Sequence, residues 1–149
     1  MTVAFPAAVH HVALTVTDLA TSRAWYRRLL GAEPVIDEDV PGLPGHHHGF
    51  HHTIFVLSGG GIIALHAHPA SDRGHRFDEL RPGLDHIGFA CGDRDELERL
   101  RDRLDELEIR HGGIADDELG HGLSFRDPDA VALEFWAPRA DRAGDGESS

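Results

Sequence analysis

Two stretches of this chain answer to each other, and that internal repeat limits what it can fold into. HVALTVTDLATSRAWYRRLLGAEP begins at His11, and HIGFACGDRDELERLRDRLDELEI begins at His86. Each opens on a histidine, runs through a short apolar segment and reaches an aspartate seven residues later, Asp18 and Asp93. A helical pattern follows in both. In the second copy Leu97, Leu100, Leu104 and Leu107 keep the 3.6-residue spacing of a helix face. Ser22, Trp25, Leu29 and Ala32 form a weaker stripe in the first, with Trp25 and Leu29 expected between helix and sheet. Asp18 (or Thr17) and Asp93 are the expected N-caps, and Gly31 the expected end of the first helix.

The copies also close alike, with IIALHAHP at 62–69 and VALEFWAP at 131–138. Aligning Ala64-Leu65-His66 on Ala132-Leu133-Glu134 sets His66 opposite Glu134. Further β-rich segments precede these ends, at 51–61 and 122–130. Ser58-Gly59-Gly60-Gly61 and Asp127-Pro128-Asp129 read as hairpin turns. The expected order is strand, helix, then two or three strands, repeated. A single domain is expected over 1–138, with module one at about 9–69, a linker at 70–83 and module two at about 84–138. Residues 37–50, rich in Pro, Gly and His, read as a loop, and 139–149 as a disordered tail.

Strand alternation makes the repeat chemically informative. Val12, Leu14 and Val16 share one face of the first strand, and His11, Ala13 and Thr15 the other. Ile87, Phe89 and Cys91 oppose His86, Gly88 and Ala90. Ile63 and Leu65 oppose Ala64 and His66, while Val131, Leu133 and Phe135 oppose Ala132 and Glu134. Four times, one face is bulky and apolar and the other carries His or Glu beside a small residue. Three imidazoles and a carboxylate converging in a curled sheet suit one divalent ion of Zn, Ni, Co, Fe or Mn. The bland alternative is four separate, solvated strand residues.

Charge and composition remove other classes. The net charge is −12, which disfavours nucleic acid or an anionic membrane as partner. No apolar run approaches the ~20 residues that span a bilayer, and the N-terminus lacks a signal-peptide pattern. A cytoplasmic location is expected. The lone Cys91 permits no internal disulfide and falls on an apolar face. Of 13 histidines, five lie in the stretch from His46 to His52. His46, His47 and His48 read as a solvated loop. One of His51 and His52 must face each way, and which lines a pocket is open. His121 is placed opposite Thr53 of module one as a rim residue, and Trp136 as an aromatic wall. Arg126, beside the Asp127-Pro128-Asp129 turn, reads as structural.

His11-Val-Ala-Leu-Thr-Val-Thr-Asp18, Trp25-Tyr26 with Leu30-Gly31, Leu84-Asp85-His86-Ile-Gly-Phe, and Phe125-Arg-Asp-Pro-Asp129 running to Leu133-Glu134 resemble the vicinal oxygen chelate superfamily. Its members include glyoxalase I, extradiol dioxygenases, fosfomycin-resistance transferases, methylmalonyl-CoA epimerase and bleomycin-binding proteins. The resemblance spans about 9–138. It implies an α+β fold, with two βαβββ modules forming a cupped, mostly antiparallel eight-stranded sheet and helices outside. It also implies metal ligands at His11, His66, His86 and Glu134, on the first and last strands of each module. His66 stands where glyoxalase I-like proteins carry Glu, so it is either a ligand or a base. Bleomycin-binding proteins generally lack this ligand set. The leading expectation is a metal-dependent lyase or isomerase, glyoxalase- or epimerase-like, acting on a small molecule that chelates through adjacent oxygens. Glu134 or His66 would move the proton. The alternatives are an Fe(II) extradiol-type dioxygenase, for which Tyr26 on a helix is poorly placed, and an antibiotic-binding or antibiotic-modifying protein. A homodimer is the expected assembly.

Overall fold

Alternation of apolar and polar residues along each strand leaves one sheet face in need of cover, and the helix after the first strand supplies it. A computed structural model describes residues 8–45, 47–71 and 73–139. Two compact units divide between His75 and Arg76, inside the expected linker. In the first, β1 (His11–Thr15), α1 (Leu19–Leu30), β2 (Ile36–Val40), β3 (Phe50–Val56) and β4 (Ile62–Ala67) follow in order. The second repeats this with β5 (Ile87–Ala90), α2 (Arg94–Glu106), β6 (His111–Asp116), β7 (Gly120–Arg126) and β8 (Ala132–Pro138). The sheets have matching orders, β1-β4-β3-β2 and β5-β8-β7-β6. First and last strands pair in parallel in each unit, and the other pairs are antiparallel.

Local chemistry sets these boundaries as the sequence predicts. Asp18 accepts from the Thr21 amide and Asp93 from the Glu96 amide, so each caps its helix. Gly31 ends α1 in the left-handed region at φ 61°. Leu57 and Gly61 close the β3–β4 hairpin, with the Leu57 amide donating to the Gly61 carbonyl at 2.7 Å. Asp127 organises the β7–β8 turn by accepting from the amides of Asp129 and Val131.

The apolar faces go inward. Leu14, Val16, Phe55, Ile63 and Leu65 are buried in the first unit, and Leu97, Leu104, Leu123, Leu133 and Phe135 in the second. Cys91 is buried too. The α1 stripe is corrected by one position: Ser22 and Tyr26 are fully buried, while Trp25 and Leu29 are half-buried at its flank. Trp25 meets Tyr26 edge-on at 4.9 Å.

The expected loop at 37–50 is also corrected. Its start belongs to β2, which runs IDEDV along β3. The strand is hard to read because Asp and Glu have low β-propensity. Its carboxylates instead find partners across the ladder. Asp37 accepts from Thr53 Oγ1 at 2.6 Å and meets His51 Nε2 at 2.9 Å, and Arg23 of α1 adds an ion pair. Asp39 takes the other ring nitrogen of His51 at 2.8 Å. Phe50 at its end opens β3, and between the two strands lies a loop in which His47 and His48 are exposed; His46 lies outside the described residues, as do 140–149 of the expected tail. Residues 70–83 contain no helix or strand where described. Their second half attaches to the second unit, where the Phe77 amide donates to Asp129 and Glu79 pairs with Arg126. Among the described residues, no helix is long and apolar enough to cross a membrane.

The His51 cluster should make stability depend on pH. Hydrogen bonding to Asp37, with burial opposing and Asp39 assisting, raises the His51 imidazole above 6.5. That stability is present below 6.5 and fades as pH rises through the higher folded value. Burial alone would raise the Asp37 carboxyl, but bonds from Thr53, His51 and Arg23 outweigh it and hold it at about 2. Its contribution is present above 3.8 and fades as pH falls through about 2. Urea unfolding of His51→Ala should therefore show a loss of about 1 kcal/mol at pH 5 to 6, a partly screened pair's worth, and a smaller loss at pH 9. A loss that stays constant across that range would contradict the assignment.

Candidate metal-binding site

Parallel pairing of β5 with β8 decides which side chains meet in the second unit. Gly88 lies opposite Glu134 and Ala90 opposite Trp136. His86, Gly88 and Ala90 therefore share a face with Ala132, Glu134 and Trp136, while Phe89, Leu133 and Phe135 turn the other way. On that face His86 Nε2 stands 3.6 Å from Glu134 Oε2. The other ring nitrogen, Nδ1, lies 2.6 Å from the Asp85 carboxylate. In the Nδ1–H tautomer, which hydrogen-bonds Asp85, the Nε2 lone pair faces Glu134.

A cation between that lone pair and the carboxylate oxygen, a metal ion or a proton on Nε2, would relieve their repulsion. Two ligands about 2.1 Å from one metal, at 90 to 109°, stand roughly 3.0 to 3.4 Å apart. The observed separation is close to that of neighbouring ligands, and Asp85 supplies the carboxylate that commonly orients a metal-binding imidazole. The pair thus fits a divalent ion, which His86 and Glu134 would hold. A cleft of about 590 Å³ opens beside the pair and is also lined by Arg110, His111, Ser124 and Arg126. A smaller one, about 350 Å³, runs from His86 and Glu134 to Trp136, the expected aromatic wall. Arg126 is held by Glu79 and by the Ala130 carbonyl, consistent with its structural reading.

The first unit has the same grammar with different residues. Here the register corrects the expected equivalence of His66 and Glu134. His11 lies opposite Ile62, and Thr15 opposite His66. Since Ile87 pairs with Leu133 and Val12 with Ile63, the counterpart of Glu134 is Ala64, and that of His66 is Trp136. The slip is two residues, which leaves the face unchanged and so escapes the alternation rule. It matters for reach. His66 stands four residues beyond the partner of His11, roughly 13 Å along the strands. That is too far for the two imidazoles to ligate one ion within this unit. Among the described residues, no three His, Cys, Asp or Glu side chains stand close enough to hold a metal.

His66 instead joins a ring cluster. Its centroid is 4.6 Å from Phe50, 6.2 Å from His52 and 6.0 Å from His68. Burial lowers its basicity below the ordinary value, and His68, His52 and His11 push the same way. His52, directly opposite His66, is the member of the His51–His52 pair on this face. His51 turns toward Thr53 and the acidic strand. A cleft of about 1090 Å³ in this unit is lined by Phe50, His48, His68 and Arg73, with the edge of His51.

His121 is corrected as well. It pairs with Ala137 as His51 pairs with Ala67, so its counterpart is His51 rather than Thr53. The likeness extends to chemistry, because His121 Nδ1 bonds Asp116 across the ladder at 2.6 Å, as His51 bonds Asp39. It shares a face with buried Leu123 and Phe125, not with Glu134. Asp85, Arg110 and Gly122 were not foreseen as site residues. The signals available were the Asp-His pair at 85–86 and the two glycines alternating through GHGLSF, which mark close approach on one strand face.

The family model for the glyoxalase/bleomycin resistance protein/dioxygenase superfamily matches residues 8–135. The ethylmalonyl-CoA/methylmalonyl-CoA epimerase of Cereibacter sphaeroides is 32% identical over 117 residues, covering 76% of this chain and 81% of that protein. The crystal structure of a glyoxylase/bleomycin resistance protein/dioxygenase domain from Frankia sp. EAN1pec superposes with a TM-score of 0.77 at 31% identity, over 92% of this chain and 95% of that one. A variant of the fosfomycin resistance protein FosX from Listeria monocytogenes, complexed with Mn(II) and 1S,2S-dihydroxypropylphosphonic acid, superposes at 0.64 with 18% identity, over 92% and 97%. That last likeness is one of fold.

Removing the Asp85 carboxylate should release the His86 ring. In metal-free Asp85→Ala, the ¹⁵N shifts of His86 should move from the Nδ1–H tautomer toward Nε2–H. Unchanged ring shifts would mean that Asp85 does not set the tautomer.

Proposed function

Because the chain belongs to the glyoxalase/bleomycin resistance protein/dioxygenase superfamily, we propose that it is a metal-dependent isomerase moving a proton on a small acid with adjacent oxygens. The observation that carries this reading is the His86–Glu134 pair, backed by Asp85 and open to a cleft. His86 Nε2 and Glu134 would hold a divalent ion, and His11 is the counterpart of His86 in the first unit. When bound, the ion supplies the positive charge that stabilises developing negative charge on substrate oxygens. Ala64, the register counterpart of Glu134, supplies no donor, and His66, expected as the fourth ligand, lies two residues further along β4.

The chain's own residues supply the rest. Asp85 keeps the proton on His86 Nδ1 and so keeps Nε2 free to ligate. Arg110 lines the cleft and offers a cation to a substrate carboxylate. Trp136 gives an apolar wall beside Glu134. Glu134, at the cleft itself, is the proton carrier of this unit, and His66 is the acid–base candidate of the first unit, its basicity lowered by burial. The epimerase relative supports a substrate of the malonyl thioester class, in which the acidic C–H lies between two carbonyl groups.

One observation favours a second reading. His86 and Glu134 supply one histidine and one carboxylate, donor types that Fe(II) oxygenases also use. Tyr26 is fully buried on the covered face of α1 and contributes nothing to such a pocket.

Two measurements separate these readings. Elemental analysis of tag-free protein should find near one equivalent of divalent metal, lost in His86→Ala/Glu134→Ala. In D₂O, a 2-substituted malonyl thioester should then exchange its C–H for deuterium in the presence of the wild type and not of the variant. Bound metal without exchange would overturn the isomerase reading. Iron together with substrate-dependent O₂ uptake would establish the second.

A further inference from the structure

Gly122 sits in the middle of β7, where glycine is costly. Its backbone does not require it, since it is not among the glycines with positive φ. What it provides is space. A Cβ built on Gly122 would lie 2.5 Å from Glu134 Oε1 and 3.3 Å from Cδ, and the next nearest atom is Cγ of the same side chain at 3.9 Å. Ser124 is the residue directly opposite Glu134, so the carboxylate leans along β8 and lies across β7 at Gly122.

Gly120, two residues earlier, is a useful contrast. A Cβ there would meet the Ala137 carbonyl at 2.4 Å and the Trp136 ring at 2.7 Å. Backbone cannot move aside, so that glycine serves packing. At Gly122 the obstacle is the far end of a flexible side chain, which can swing away at little cost. The first unit carries the inverse arrangement. By register His52 is the counterpart of Gly122, and Ala64 the counterpart of Glu134. Where β4 sends out no long side chain, β3 has no need of glycine.

We propose that Gly122 is a positioning residue, present so that the Glu134 carboxylate can lie across β7 and face His86. The inference rests on the metal-binding reading above for its consequence, though not for the contact itself. The expected signature is loss of ligand geometry without loss of fold. Gly122→Ala should lower Co²⁺ affinity, followed by the visible absorption of the bound ion, about tenfold or more. Its metal-free melting temperature should stay near that of the wild type. Unchanged Co²⁺ affinity in Gly122→Ala would overturn the proposal.

A melting cycle on metal-free protein tests the contact separately. If Gly122→Ala does lower the melting temperature, Glu134→Ala in the same chain should restore it, because the atoms that the new methyl group meets are gone. Failure to restore would overturn the proposal as well. A wild type that takes up no Co²⁺ would defeat the metal reading. In that event His86 ring shifts, compared between wild type and Gly122→Ala, decide whether Gly122 holds Glu134 against His86: a change supports it and identity overturns it.

Discussion

Parallel pairing between the first and last strands of each unit is the constraint on which everything else depends. Strands that run parallel cannot be joined by a tight turn, so the chain must cross over, and α1 and α2 follow their first strands at once. Each helix covers one sheet face and buries its apolar residues. The other face keeps its polar side chains. The same pairing also fixes which of those side chains stand together, since neighbouring strands are only about 4.8 Å apart. His86 and Glu134 meet because of this register, and His11 and His66 do not.

One architecture has thus been given two chemistries. The second unit presents an imidazole and a carboxylate with Asp85 behind them. The first presents a stack of rings around Phe50, with His66 made less basic by burial. Cross-strand His–Asp pairs recur at equivalent positions in both, His51–Asp39 and His121–Asp116, on the helix side of each sheet. They read as supports of the two scaffolds, and the divergence lies on the open faces.

Much of this was legible in the residues. The repeat, both N-caps, both hairpin turns and the faces of β1, β4, β5 and β8 depend on local chemistry, and local chemistry is written in neighbouring letters. Register is not. Ala64-Leu65 and Ala132-Leu133 invite an alignment that is two residues out, and a two-residue slip conserves the face, so alternation cannot reveal it. β2 was missed because its partners, His51, Thr53 and Arg23, come from elsewhere in the chain. On α1 the larger Trp25 drew the stripe toward itself, although Tyr26 and Ser22 lie four apart and fully buried. Gly122 carried its meaning only in relation to Glu134.

The acidic strand also guards the molecule against its own kind. Among the described residues β2 is the outer strand of its sheet, with no further strand paired along one side. Such an edge invites another chain to add a strand, and like charges on both edges discourage it. The exposed carboxylates of Glu38 and Asp39 supply that repulsion, while Asp37 is engaged by Arg23, Thr53 and His51. The protection is electrostatic, so salt weakens it. Concentrated salt at low pH is therefore the condition under which this sheet is most open to self-association, through a strand whose charges also make it the least obvious in the sequence.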